Sequence, residues 1–232
     1  MRELLLACAV VLVGAPFAYL LHEVTSHGPF TRWDTSAAQS LHGRVVHDGG
    51  AIAALKFVSF TGKPVFLAAV VGIPVVWLLV RQARKLALFL VVVSIGGSLI
   101  DTGVKLAVSR PRPTFSDPIM TAYGKSFPSG HAMSSLVCYG AVLLVVLPLV
   151  ATRWRWLAVA AVAVWVAAIG FSRLALGVHY ISDVLGGYVL GAAWLIGSVA
   201  IFEVWREDRG RRRTQPLTEG VEPDEATAAT GD

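Results

Sequence analysis

Charge is scarce in this chain. Only 15% of its 232 residues are Asp, Glu, Lys or Arg, against about 25% in an ordinary soluble domain. A freely soluble cytosolic globule is therefore a poor fit. Cysteine is scarcer still. Two residues exclude a disulfide-stapled scaffold and fall short of a zinc finger or an iron–sulfur site. What abounds is apolar surface. At 55% hydrophobic residues, most of the chain has too much to bury to stay disordered.

The apolar residues come in charge-free blocks: Leu4–Leu21, Pro64–Val80, Leu86–Ile100 resuming after Asp101, Ala132–Thr152, Trp156–Ser172 and Val184–Phe202. A membrane span needs about 20 mostly apolar residues, and buried helices of soluble bundles are rarely this long and apolar all round. The expected fold class is all-α: a polytopic membrane protein, a six-transmembrane-helix bundle. The length of the first block and Pro16 favour a retained span over a cleaved leader. Cys8 and Cys138 fall inside blocks and read as small apolar filler.

Orientation follows from the positive residues. Arg2, the cluster Arg81, Arg84 and Lys85, the pair Arg153 and Arg155, and the run Arg206, Arg209, Arg211, Arg212 and Arg213 flank alternate ends of the blocks. Short loops rich in Arg and Lys stay in the cytoplasm. Both termini are then cytoplasmic, in the plasma membrane, and His22–Lys63, Ser109–His131 and the turn near Gly177–Asp183 lie outside. The net charge of +5 is largely this topogenic charge. No nucleic-acid partner is expected, since the basic residues hug span ends and form no basic face. Residues 1–205 read as one membrane unit and 206–232 as a disordered cytoplasmic tail, acidic from Glu219 onward and without an apolar face. In the first outer loop, Leu41, Val45, Val46, Ile52, Leu55 and Phe57 suit one or two interfacial amphipathic helices, broken at Gly49-Gly50.

Charges at the rim of a span are costly and usually functional. Here they collect on the outer side. Asp101 and Lys105 are four apart at the end of the third span and share a helix face. Arg110, Arg112 and Lys125 occupy the next loop, His131 opens the fourth span, and Arg173, His179 and Asp183 bracket the last outer turn. An active site at the outer membrane rim is the expectation. Lys105, Arg112 and Arg173 offer three cations, and guanidinium forks match phosphate. Ser129 is positioned to cap the helix that His131 opens, and Gly130 lets its backbone approach a ligand. A helix N-terminus favours anions. His179 and Asp183 are four apart, so the carboxylate can hold one imidazole nitrogen and leave the other to substrate. One histidine attacking phosphorus and another protonating the leaving oxygen would be covalent phosphoryl chemistry. Asp101 is read as the structural partner of Lys105. His22, His27, His42 and His47 are read as structural.

Three motifs carry a resemblance. Lys105 to Pro113, Lys-Leu-Ala-Val-Ser-Arg-Pro-Arg-Pro, fits K-x6-R-P. Pro128-Ser129-Gly130-His131 is P-S-G-H. Ser172 to Asp183 fits S-R-x5-H-x3-D. Together, in order and without mismatch, they resemble the type 2 phosphatidic acid phosphatase (PAP2) superfamily of lipid phosphate phosphatases. Arg110-Pro111 is a second Arg-Pro pair two residues early, so Arg110 is a further candidate for the phosphate.

The resemblance implies roles. His179 would be the nucleophile, forming a phosphohistidine. Asp183 would orient it, and His131 would be the general acid and then the base that activates water. Lys105, Arg112, Ser129, Gly130 and Arg173 would hold the phosphoryl oxygens. No cofactor and no metal are expected, and the outer segments carry no carboxylate cluster suited to magnesium. The expected substrate is a lipid phosphate or pyrophosphate held in the bilayer, foremost undecaprenyl pyrophosphate in cell-wall carrier recycling, with phosphatidic acid or phosphatidylglycerol phosphate as the rival. A vanadium haloperoxidase shares such motifs but is soluble. A non-catalytic membrane binding or transport protein would place its polar groups near the bilayer midplane, not at one rim.

Overall fold

The computed structural model describes residues 2–26, 28–207 and 214–230, with side chains from residue 14 onward, save 27 and 207. His27, Arg209 and Arg211–Arg213 lie outside the described residues. Every described regular element is helical: α1 (Arg2–Ser26), α2 (Pro29–Val45), α3 (Gly49–Phe60), α4 (Pro64–Val80), α5 (Arg84–Val108), α6 (Gly130–Val146), α7 (Thr152–Ala175), α8 (Ile181–Glu207), α9 (Pro216–Glu219) and α10 (Pro223–Thr230). A 3-10 turn, Leu147–Leu149, extends α6.

The boundaries follow local chemistry. Pro29 and Pro64 stand in the first turns of α2 and α4, where a missing N–H costs nothing. Asp48 caps α3 by accepting from the Ala51 N–H at 2.9 Å. The interruption between α2 and α3 therefore falls before Gly49-Gly50, which open α3 instead of breaking it. Helix α5 stops where Ser109 turns left-handed (φ 54°) and Arg110-Pro111 follows.

Among the described residues, four helices are long and apolar enough to cross a membrane: α5, α6 with its 3-10 extension, α7 and α8. Helices α3 and α4 meet at a 46° bend and make a fifth if they form one broken span. Helix α1 runs through the first apolar block. At the centre stands α6, packed by α4, α5, α7 and α8, with Ala132, Met133, Val137 and Ala141 at most 1% exposed. Helix α8 approaches it closely at Gly187 and Gly191. A Cβ at Gly187 would sit 2.7 Å from the Ser129 carbonyl oxygen, and one at Gly191 3.1 Å from that of Met133. Small residues four apart let two membrane helices touch backbone to backbone. Trp194 spans from α8 to α5, donating its indole N–H to the Val93 carbonyl at 2.7 Å.

Residues 214–230 lie against the basic end of the bundle. Val221, Ala226 and Ala229 are buried. The Val221 N–H donates to the Leu144 carbonyl at 3.0 Å, Arg81 donates to the Ala229 carbonyl, and Lys85 lies 3.9 Å from Glu225. Arg206 faces Glu203 at 3.4 Å and Glu222 at 3.3 Å. The basic residues at this end supply donors and counter-charges to the acidic tail, a pairing that composition alone does not report. Arg206 itself, assigned to the tail, belongs to α8.

Candidate active site

The C-terminal ends of α5 and α7, the N-terminal ends of α6 and α8, and the irregular segment 109–129 meet at the end of the bundle opposite the tail. Every motif residue is there. His179 ends the short turn between α7 and α8 and is 2% exposed. Its Nδ1 lies 3.3 Å from Asp183 Oδ2 and its Nε2 2.9 Å from Arg112 Nη1. These partners fix the tautomer. A carboxylate at Nδ1 needs a proton there, and a guanidinium, which only donates, needs a lone pair at Nε2. Burial pushes the His179 pKa down to about 4, against the raising effect of Asp183. At neutral pH the ring is neutral, with Nε2 unprotonated.

Asp183 is fully buried. Its Oδ2 also accepts from the Tyr180 N–H at 2.9 Å and from the Ser126 hydroxyl, and its Oδ1 accepts from Arg110 at 2.6 Å. Arg110, a candidate for the phosphate, is thus committed to protein. It holds Asp183, the Ser182 hydroxyl at 2.7 Å and Asp34 at 3.0 Å, and its guanidinium lies 4.1 Å from the Tyr180 ring centroid.

Arg112 uses all its donors. They reach His179 and the carbonyls of Val178 (2.8 Å), Gly124 (3.1 Å), Tyr123 (3.2 Å) and Lys125 (3.1 Å). Arg173 donates Nη1 to the Ser59 hydroxyl at 2.6 Å, while its buried Nε has no partner. The His131 Nε2 and the Ser129 hydroxyl are likewise buried without partners. His131 stands within electrostatic reach of Arg173, His179, Arg112 and Lys63. Buried polar atoms are normally satisfied, so three unspent groups on motif residues at this end of the bundle mark a place for a polar ligand.

Two expectations are refined by this geometry. Ser129 occupies the N-cap position of α6, yet its hydroxyl makes no capping bond; the peptide is instead anchored by the Ser129 N–H donating to the Asp183 carbonyl at 2.8 Å. Gly130 is approached by the ion pair of Lys105 and Asp101. A Cβ at 130 would lie 2.9 Å from Asp101 Oδ2 and 3.0 Å from Lys105 Nζ, so a larger residue would push that pair aside.

Sequence reasoning did not identify Asp34, Ser59, Lys63, Ser126 or Ser182. Asp34, Ala38 and His42 are buried along one face of α2, a stripe too polar for a hydrophobic pattern to flag. Among the described residues, no group of three or more His, Cys, Asp or Glu is placed to hold a metal ion.

Comparison with known proteins agrees with the motifs. The chain is 35% identical over 96 residues to phosphatidylglycerophosphatase B of Bacillus subtilis, covering 40% of this chain and 46% of that protein. It is 33% identical over 132 residues to the undecaprenyl-diphosphatase of Sulfolobus acidocaldarius, covering 54% and 60%. The aligned part thus spans about half the length of these relatives. In fold, the chain resembles the crystal structure of a transmembrane PAP2-type phosphatidylglycerolphosphate phosphatase from Bacillus subtilis, with a TM-score of 0.76 at 21% identity over 88% of this chain and 98% of that one. The family model for the PAP2 superfamily matches residues 85–207, more than half the chain and all three motifs, and the chain belongs to that superfamily.

Proposed function

We propose that this protein is a lipid phosphate or pyrophosphate phosphatase working through a phosphohistidine without a metal ion. The observation that carries the reading is His179, its Nδ1 held by Asp183 and its Nε2 lone pair turned toward Arg112 beside the partnerless groups of His131, Ser129 and Arg173. The His179 Nε2 attacks phosphorus as the phosphorus–oxygen bond to the lipid breaks. His131 gives its proton to the departing oxygen. The Nδ1 proton stays on His179, and Asp183 balances the imidazolium charge. Lys105, Arg112, Arg173, the Ser129 hydroxyl and the Gly130 backbone face the phosphoryl oxygens as their charge redistributes. Water then attacks phosphorus, His131 takes its proton, the phosphorus–nitrogen bond breaks, and inorganic phosphate leaves.

Six spans, α1, the α3–α4 pair and α5 to α8, with both termini and the positive clusters in the cytoplasm, would place this site at the outer rim of the plasma membrane, and residues 1–205 would be the catalytic unit. There a lipid presents its headgroup while its chain stays in the bilayer. Undecaprenyl pyrophosphate, released on that face, is the proposed substrate. Phosphatidylglycerol phosphate is the second reading, favoured by the name of the Bacillus relative.

The test is phosphate release by purified protein in detergent with chelator present. Undecaprenyl pyrophosphate, phosphatidylglycerol phosphate and phosphatidic acid are compared, with His179→Ala as control. Preference for the prenyl pyrophosphate supports carrier recycling, and preference for a glycerolipid moves the protein to phospholipid metabolism. Unchanged turnover in His179→Ala refutes the mechanism. Loss of activity on chelation, restored by magnesium, refutes the metal-free reading.

A further inference from the structure

Asp34 sits in the outer segment between the first two apolar blocks, yet it is fully buried. Its Oδ1 accepts from the Ser182 backbone N–H at 3.0 Å. Its Oδ2 accepts from Arg110 Nη2 at 3.0 Å and from the Ser182 hydroxyl. Arg110 Nη1 reaches Asp183 Oδ1 at 2.6 Å, and Asp183 Oδ2 faces His179. One continuous line of charge-assisted contacts therefore runs from the nucleophile to a residue on α2.

The geometry points to Asp34 and Arg110 as positioning residues of the phosphatase reaction: Arg110 aims Asp183 at His179 instead of binding phosphate, and Asp34 offsets the Arg110 charge so that Asp183 keeps its effect on His179. This rests on the phosphatase reading above. The charges explain why a second carboxylate is needed. With His179 neutral, Asp183 and Asp34 ionised and Arg110 cationic, the line carries one net negative charge. When His179 takes the phosphoryl group its ring becomes cationic, and that negative charge meets it. Without Asp34, Arg110 would cancel Asp183, and the new cation would form in a buried place with no net counter-charge, which is costly. Without Arg110, Asp183 would lose the donor that holds its Oδ1, and the cation that bridges the Asp183 and Asp34 carboxylates would be gone. Arg110 has little left for a substrate, being 9% exposed, stacked on Tyr180 and bonded to two carboxylates.

The test uses full-length protein in detergent, with farnesyl diphosphate and dioctanoyl phosphatidic acid as probes. Three variants are compared: Asp34→Asn, Arg110→Gln and the double variant. His179 faces Asp183 of α8, Arg112 of the 109–129 segment, Arg173 of α7 and His131 of α6, and Lys105 of α5 faces Asp183. All of these stay intact in every variant, so a shift belongs to the changed pair.

Asp34→Asn should lower kcat about ten- to hundredfold with KM within about twofold, and move the acid limb of kcat/KM to lower pH by about half a unit or more. Arg110→Gln should also lower kcat but move the limb to higher pH. In the double variant the net charge returns to that of the wild type, and the limb should return with it. Opposite shifts that cancel are not produced by a merely structural defect. The histidine NMR titration of His179, assigned with His179→Asn, should move the same way without any turnover. Same-signed shifts, or a tenfold rise in KM for Arg110→Gln with the limb unmoved, overturn the proposal. No phosphate release by the wild type from either probe refutes the phosphatase reading instead, and the His179 titration still decides whether the charge line exists.

Discussion

Arg112 donates an Nη1 hydrogen to the Nε2 of His179 at 2.9 Å, occupying the lone pair proposed to attack phosphorus. The same guanidinium gathers the carbonyls of Tyr123, Gly124 and Lys125. It thereby ties the segment that leads into Pro128-Ser129-Gly130-His131 to His179. An incoming phosphoryl oxygen is a stronger acceptor than a ring nitrogen, so one donor hydrogen can pass from His179 to substrate while the others keep the segment in place.

Arg112→Lys should therefore be far from conservative. A lysine keeps the charge, but its three hydrogens cannot span the five acceptors that the fork reaches. The expected loss in kcat/KM is about 10²- to 10³-fold, measured by phosphate release on the preferred lipid. A loss below about threefold would show that charge alone matters at this position.

The pH profile tests the state of His179. Burial lowers its pKa to about 4, so the ring sheds its proton at lower pH than an ordinary histidine, near 6.5. The form proposed to attack is the neutral ring. Once the substrate's own phosphate ionisation has been subtracted by a parallel titration, kcat/KM should hold as pH falls through 6.5. It should fail only as pH drops through about 4. An acid limb near 6.5 in the free enzyme would contradict His179 as a buried nucleophile.

The candidate site was legible where its residues lie at helix ends. Lys105, His131, Arg173 and Asp183 sit where a charged residue abuts a long apolar run, and a charge at such a boundary is conspicuous. The four-residue spacing of His179 and Asp183 also suggested their contact, which forms although His179 stands in the turn before α8 and not on a helix. Arg110 was ambiguous because spacing says how far a residue stands from a motif, not which partner claims it; two carboxylates claim it here. Asp34 and Ser59 were illegible for another reason. They enter the site only because α2 packs on α7 and α8 and α3 packs on α7, and packing between distant segments leaves no local pattern. In the tail, small residues with few apolar neighbours hid a surface that α6 and its 3-10 turn complete.

Gly130→Ala should disturb phosphate binding through a neighbour. The added methyl would meet the ends of Asp101 and Lys105 at 2.9 and 3.0 Å, closer than side chains tolerate. Those ends can move, so the fold should survive while Lys105 is displaced. The expected result is a rise of about tenfold in the inhibition constant of inorganic phosphate, with the thermal midpoint lowered by no more than a few degrees. Unaltered phosphate inhibition would remove Lys105 from the proposed phosphate-binding set.

Ending the chain after residue 213 should separate stability from catalysis. The deletion removes Glu222, which is fully buried against Arg206, and Thr214, whose N–H and hydroxyl both bond Glu203. It also uncovers the surface beneath Val221, Ala226 and Ala229. Removing one side of a buried ion pair costs about 3–5 kcal/mol. In a chain of this size 1 kcal/mol moves Tm by about 2–4 °C, so the midpoint should fall on the order of 10 °C in the same detergent. The residues proposed to be catalytic lie at the other end of α6 and α8, whereas the tail contacts, to Leu144, Arg81, Lys85, Glu203 and Arg206, are made at this end. At temperatures well below the new midpoint, kcat and KM should match the full chain. A fall in kcat with the midpoint preserved would mean that the tail acts on the site through the helices it clamps, not on the fold.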